Sequence, residues 1–192
     1  CTSAPVRDRV PTPLAVLREL SLTTIREARR RIHPWVLRTP VLHHRLDADC
    51  ELLLKPESLQ STGAFKIRGA FNLMLTLPKG CAGVVAHSSG NHAQAVARAA
   101  NLLGLRAVIV MPADAPEPKR ARTAADGAEL VLVGPDSDER AFRADEIARS
   151  EGLVPVPPYD HPLIAAGQGK AALELLEDAD LLDRFYAPLS GG

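Results

Sequence analysis

Between residues 84 and 156 the chain alternates short apolar runs, mostly β-branched, with segments of helical length and composition. The apolar runs are Val84-Val85-Ala86, Ala107-Val108-Ile109-Val110, Leu130-Val131-Leu132-Val133 and Leu153-Val154-Pro155-Val156. Between them lie Asn91 to Gly104, Glu117 to Ala125, which Asp126-Gly127 ends, and Asp138 to Ser150. A strand that is apolar along its whole length has no face to give to water, so it is buried on both sides. Strands joined by helical crossovers run parallel. This rhythm predicts an open parallel α/β sheet with helices on its faces. It is a repeat of structure type, not of sequence.

The flanks are less regular. Residues 1–21, with Pro5, Pro11 and Pro13, read as a loose arm with a short helix at Leu14 to Leu20. Thr24 with Glu27 fits a capping box for a helix whose apolar face is Leu22, Ile25, Ala28 and Ile32. Arg26, Arg29, Arg30 and Arg31 read as its solvated side, and Pro34 ends it. Arg38 to Leu42 and Glu51 to Leu54 read as short strands, and Pro78-Lys79-Gly80 as a breaker. Pro155 to Pro162 is a stiff connector and a crossing between domains. Gly167-Gln168-Gly169 precedes a helix from Lys170 to Leu176, and a last strand, Phe185 to Leu189, runs into Ser190-Gly191-Gly192.

Charge excludes several function classes. Basic and acidic residues balance at 23 each, which argues against a nucleic-acid or acidic-membrane partner. Aromatic residues are 4%, too few for a base-stacking platform. Cys1, Cys50 and Cys81 are odd in number and lack ligand spacing, so they read as reduced thiols of a cytoplasmic protein, with no metal site. No apolar run approaches the roughly 20 residues of a membrane span. The chain starts at Cys1 and stops at Gly192, inside what reads as a glycine loop, so both ends read as cut.

Three stretches carry chemistry. In Ser61-Thr62-Gly63-Ala64-Phe65-Lys66-Ile67-Arg68-Gly69-Ala70, the positions Ile67, Ala70, Phe71, Met74 and Leu75 form a helical stripe, which puts Lys66 on the first turn. A lysine at a helix start is most often a solvated charge. Among apolar neighbours and near the positive helix end, its pKa falls, and such amines serve as Schiff-base nucleophiles. The second stretch, His87-Ser88-Ser89-Gly90-Asn91-His92, follows a strand and opens a helix, where backbone N–H groups bind anions. Ser89 or Asn91 reads equally well as a plain N-cap there. The third, Ser190-Gly191-Gly192, offers bare backbone to a phosphate or a simple turn. Together they suit an amino-acid substrate and a phosphorylated aldehyde cofactor. Neither a P-loop nor a Gly-x-Gly-x-x-Gly fingerprint is present, which disfavours a nucleotide-binding module.

On these residues the chain resembles the pyridoxal-phosphate enzymes of fold type II, within the threonine/serine dehydratase and serine racemase group. Ser61 to Ala70 is similar to that group's Schiff-base lysine motif. Ser88-Ser89-Gly90-Asn91-His92-Ala93-Gln94 is similar to its substrate-carboxylate loop, and Pro188 to Gly192 to the start of its phosphate loop. The resemblance runs from about Leu22 to the last residue. It implies a tryptophan synthase β-like two-domain architecture with pyridoxal 5′-phosphate as cofactor. Residues 22–80 and 159–192 would then belong to an incomplete cofactor-binding domain and residues 81–158 to a small α/β domain.

The resemblance also implies roles. Lys66 would hold the cofactor covalently and later take the α-proton, Phe65 would pack on its ring, and Asn91 would bond the ring hydroxyl. Ser190, Gly191 and Gly192 would hold its phosphate. Ser88, Ser89, Asn91 and His92 would surround the substrate carboxylate. Arg140 stands where some relatives have a substrate-contacting arginine, and also reads as a surface-helix residue. The implied reaction is β-elimination from L-threonine or L-serine to a 2-oxo acid and ammonia. The rival is racemisation, with Ser89 as a second acid. A rival of another class is an inactive, truncated ligand-binding domain. A homo-oligomer is implied for the full-length enzyme.

Overall fold

The computed structural model describes residues 18–48, 50–179 and 181–187. Of the short helix expected at Leu14 to Leu20, Arg18 and Glu19 are helical and residues 14–17 lie outside the described residues; the next helix, α1, is Leu22–Ile32. Ser21 caps it: the Thr24 N–H donates to the Ser21 hydroxyl at 3.2 Å, and the Ser21 N–H donates to the Thr24 hydroxyl at 2.9 Å. The capping box therefore starts at Ser21, not Thr24, because Ser21 is the extended residue before the helical turn. Ala28 and Ile32 are buried, while Leu22 faces outward.

Strand β1 (Leu42–Arg45) pairs antiparallel with β2 (Glu51–Leu54), and the Leu46 N–H to Cys50 carbonyl bond closes the hairpin. The strand expected over 38–42 begins only at Leu42. Pro40 has no N–H for a ladder. Thr39 is occupied elsewhere: its carbonyl accepts from Lys55 Nζ at 2.6 Å and its hydroxyl donates to Glu57 at 2.7 Å. After a 3-10 turn at Glu57–Leu59 comes α2 (Lys66–Met74). Every residue of α2 is buried, polar ones included, so the amphipathic stripe understates its burial. Trp35 stacks on Phe71 with centroids 5.3 Å apart.

The sheet is made of β3 (Val84–His87), β4 (Ala107–Pro112), β5 (Glu129–Val133) and β6 (Val154–Pro155), in the order β5-β4-β3-β6, all parallel. Alternate residues enter opposite cores, as the period of two requires. Val84, Ala86, Ile109 and Met111 pack with α2 and with α3 (Asn91–Leu103). Val85, Val108 and Val110 pack instead with Ala144, Ile147 and Leu153. Ala144 and Ile147 lie on α5 (Ser137–Glu151), which follows α4 (Glu117–Ala125). Gly104 ends α3 in the left-handed conformation, φ +66°. Strand β6 is only two residues long and sits at the edge, where Pro155 costs no ladder bond.

The last helix, α6 (Pro162–Asp178), starts well before the expected Lys170 and contains Gly167 and Gly169. A Cβ on Gly167 would lie 2.6 Å from the Arg68 carbonyl oxygen and 2.9 Å from Gly69 Cα. A Cβ on Gly169 would stand 3.1 Å from Ile25 of α1, so Gly167 packs α6 on α2 and Gly169 packs it on α1, and neither is a loop before the helix. Helices α1, α2 and α6 pack on one another, and their apolar core is continuous with the one under the sheet. Phe185 to Ala187 are not strand, and Pro188 and Leu189 lie outside the described residues. No helix among the described residues is long and apolar enough to cross a membrane.

Candidate active site

Lys66 is the first residue of α2 and only 5% exposed. Its Nζ donates to the Pro158 carbonyl at 3.0 Å and stands 5.2 Å from the centroid of the half-buried Phe65 ring. Burial pushes its pKa below the ordinary lysine value, because the charged form loses water without gaining an acidic partner.

Strand β3 delivers the second element. It ends at His87, and Ser88 and Gly90 turn the chain into α3. The Ser88 N–H donates to the Val110 carbonyl at 3.1 Å, and the Gly90 N–H to the Ser88 hydroxyl at 3.1 Å. Gly90 occupies the cap position and has no side chain, so the N-cap reading of Ser89 or Asn91 does not hold. Beside the start of α3, whose first N–H groups have no carbonyl partner within the helix, Ser88 and Asn91 are half-buried and Ser89 is exposed.

His92 points inward from the first turn of α3. It is 3% exposed, its Nε2 lies 2.8 Å from the Val156 carbonyl, and its Nδ1 is buried with no partner. Its pKa is pushed down to about 4, first by burial, with the Lys66 and His87 charges adding to the fall and the Val156 carbonyl opposing it. Nε2 therefore carries the proton and Nδ1 presents a bare lone pair. Val156 and Pro158, just past β6, thus hold His92 and Lys66 respectively.

Arg140, on the first turns of α5, donates from Nη1 to the Pro135 carbonyl. Its charge, after burial, holds the His87 pKa down, which puts it within electrostatic reach of the end of β3. Ser190, Gly191 and Gly192 lie outside the described residues. Sequence reasoning missed Lys119 on α4: a Cβ on Gly90 would stand 3.2 Å from its Nζ. Nothing local in Glu117 to Ala125 marks that lysine, because only the sheet order brings α4 beside the β3–α3 turn. Pro158 was likewise read as connector alone. Among the described residues no cluster of His, Cys, Asp and Glu could hold a metal.

A dry amine, a helix start and nearby cations fit an aldehyde that carries an anionic group. Residues 32–192 match the model of a known family, described as pyridoxal-phosphate dependent enzyme. The chain belongs to that family. It is 44% identical over 171 residues to the L-threo-3-hydroxyaspartate ammonia-lyase of Saccharomyces cerevisiae, covering 86% of this chain and 52% of that protein. It is 43% identical to the serine racemase of Schizosaccharomyces pombe, covering 88% and 54%. The structure superposes on the T.th. threonine deaminase with a TM-score of 0.77 and 46% identity, covering 83% and 52%. The chain thus spans about half the length of the relatives it matches. Its fold is that of the fold type II enzymes, and pyridoxal 5′-phosphate is the family's cofactor.

Proposed function

We propose that the full-length protein catalyses β-elimination from L-threonine or L-serine, releasing a 2-oxo acid and ammonia. The observation that carries this reading is the buried Lys66 amine, which is electrostatically coupled to the first turn of α3. Lys66 would hold the cofactor, Phe65 would pack on its ring, Asn91 would bond its ring hydroxyl, and Ser190, Gly191 and Gly192 would hold its phosphate. When bound, the cofactor withdraws electrons from the substrate Cα.

The remaining work falls to this chain. Ser88, Ser89 and Asn91, with the α3 N–H groups, would hold the substrate carboxylate, and Arg140 would add a cation at the edge of the site; His92, expected beside them, gives its one N–H to the Val156 carbonyl and so backs the turn from within. A fixed carboxylate aims the Cα–H bond at Lys66. Burial lowers the Lys66 pKa and so favours its neutral amine, which would take the α-proton. Loss of the β-hydroxyl as water leaves an enamine, which hydrolyses to the 2-oxo acid and ammonia. Residues 22–80 and 159–192 contribute the cofactor-binding domain of this enzyme and residues 81–158 the small domain.

A second reading is racemisation, which needs an acid on the opposite face. The exposed Ser89 hydroxyl and the similarity to a serine racemase support it. Full-length protein incubated with L-serine and L-threonine should release 2-oxo acid, and Lys66→Ala should abolish it. D-amino acid in place of 2-oxo acid, lost in Ser89→Ala, would select racemisation. Turnover that survives Lys66→Ala would overturn both.

A further inference from the structure

Behind Lys66 lies a set of buried charges that the reaction does not use. Helix α2 starts without a side-chain cap, since Phe65 has nothing to offer the first turn. Arg68, two residues after Lys66, points about 200° away from it around the helix axis. It is 0% exposed, and its guanidinium is forked twice. Nε and Nη2 donate to the two oxygens of Glu57 at 2.6 and 2.7 Å, and Nη1 and Nη2 donate to those of Glu174 at 3.1 and 2.9 Å. Glu57 belongs to the 3-10 turn that leads into the Ser61–Phe65 loop, and Glu174 to α6. One side chain thus ties the loop before Lys66 and the helix behind it to the turn that carries it.

Both carboxylates are braced in turn. Glu57 also accepts from Thr39 at 2.7 Å and Gln60 at 3.3 Å. Glu174 is ion-paired with Lys55 at 2.8 Å and with Lys170 at 3.2 Å. Burying this many charges is a poor route to stability, because well-packed apolar residues would do as well or better. What a forked guanidinium gives that apolar packing does not is fixed direction. The network also leaves the basicity of Lys66 alone: burial is the cause of its lowered pKa.

We propose that Arg68, held by Glu57 and Glu174, is a positioning residue that sets the direction of the Lys66 amine for reaction. The proposal rests on Lys66 being the cofactor-bearing amine.

The test uses full-length protein loaded with pyridoxal phosphate, comparing wild type, Arg68→Lys, Arg68→Met, Glu57→Gln and Lys170→Met. Borohydride trapping with peptide mapping reports attachment, visible circular dichroism per bound cofactor reports its orientation, and kinetics report kcat and KM separately. Arg68→Lys should still attach cofactor at Lys66. Its dichroism should fall and kcat should drop about 10- to 100-fold, the cost of a misplacement of about 1 Å, with KM within about threefold. Lysine should rescue no better than methionine, because it keeps the charge and loses the fork. Lys170→Met, which removes one brace of Glu174 but leaves every donor of the fork, should lower kcat and dichroism less than Arg68→Met does. Where the Arg68 variants do not fold, Glu57→Gln decides, with the same fall in kcat and dichroism expected. Arg68 or Glu57 variants that lose melting temperature but keep wild-type dichroism and kcat per bound cofactor would overturn the positioning role. Failure to trap Lys66 in the wild type would instead overturn the reading on which it rests.

Discussion

At the residue scale, His92 is neutral because the fold dries it. Its pKa falls from 6.5 to about 4, so between those values the unfolded chain takes up a proton that the folded chain refuses. Stability is full above about pH 6.5 and declines as pH falls toward 4, by on the order of 3 kcal/mol for this ring alone. His87 and His161, also lowered by burial, act with the same sign. Glu174, whose pKa lies below the carboxylate value of 4.5, loses its contribution only at lower pH. Urea midpoints at pH 7 and pH 5 should therefore differ, and His92→Gln should shrink the difference, because glutamine can donate to the Val156 carbonyl without titrating. Equal pH dependence in both proteins would mean that His92 is not dry.

At the element scale, the crossing of α2 and α6 depends on two glycines. Gly167→Ala gains helix propensity of about 1 kcal/mol but sets a Cβ 2.6 Å from the Arg68 carbonyl, which is backbone and cannot step aside. The net change should be destabilising by about 1–3 kcal/mol. Gly69→Ala, whose nearest atoms are at 3.1 Å, should cost less. Thermal unfolding of both variants checks that order, and a stabilised Gly167→Ala would refute the close crossing. Ser21→Ala should cost about 1 kcal/mol by removing the α1 cap, whereas a measurable loss in Glu27→Ala alone would favour the cap expected from Thr24.

The same glycines show where reading the sequence stops. Asn91 to Gly104 and Glu117 to Ala125 were legible because periodicity and end signals are local. Gly167, and with it Gly169, carries the local signature of a loop, and only the neighbouring helices, α2 for the first and α1 for the second, explain them. Thr39 and Pro40 sit in an apolar stretch that reads as strand, yet side chains from distant positions claim the backbone first. The reactive candidates were legible for the opposite reason: Lys66 and the Ser88–His92 turn sit at element starts that the sequence marks. Their shared holder, the Val156–Pro158 segment, was not legible, because its role is to bring two distant side chains together.

At the scale of the whole molecule, the parallel sheet sets the site. It puts the end of β3 next to the start of α3 and carries the chain past β6 to reach Lys66. Alternate strand residues fill two cores, so the ends of the strands are left for chemistry. The buried Lys66 amine is the claim on which the functional account stands. Full-length protein mixed with pyridoxal phosphate, reduced with borohydride and mapped by mass spectrometry tests it directly. The account predicts a single pyridoxyl adduct on Lys66, absent from Lys66→Ala. An adduct on Lys55, Lys119 or Lys170 instead, or no adduct at all, would contradict it.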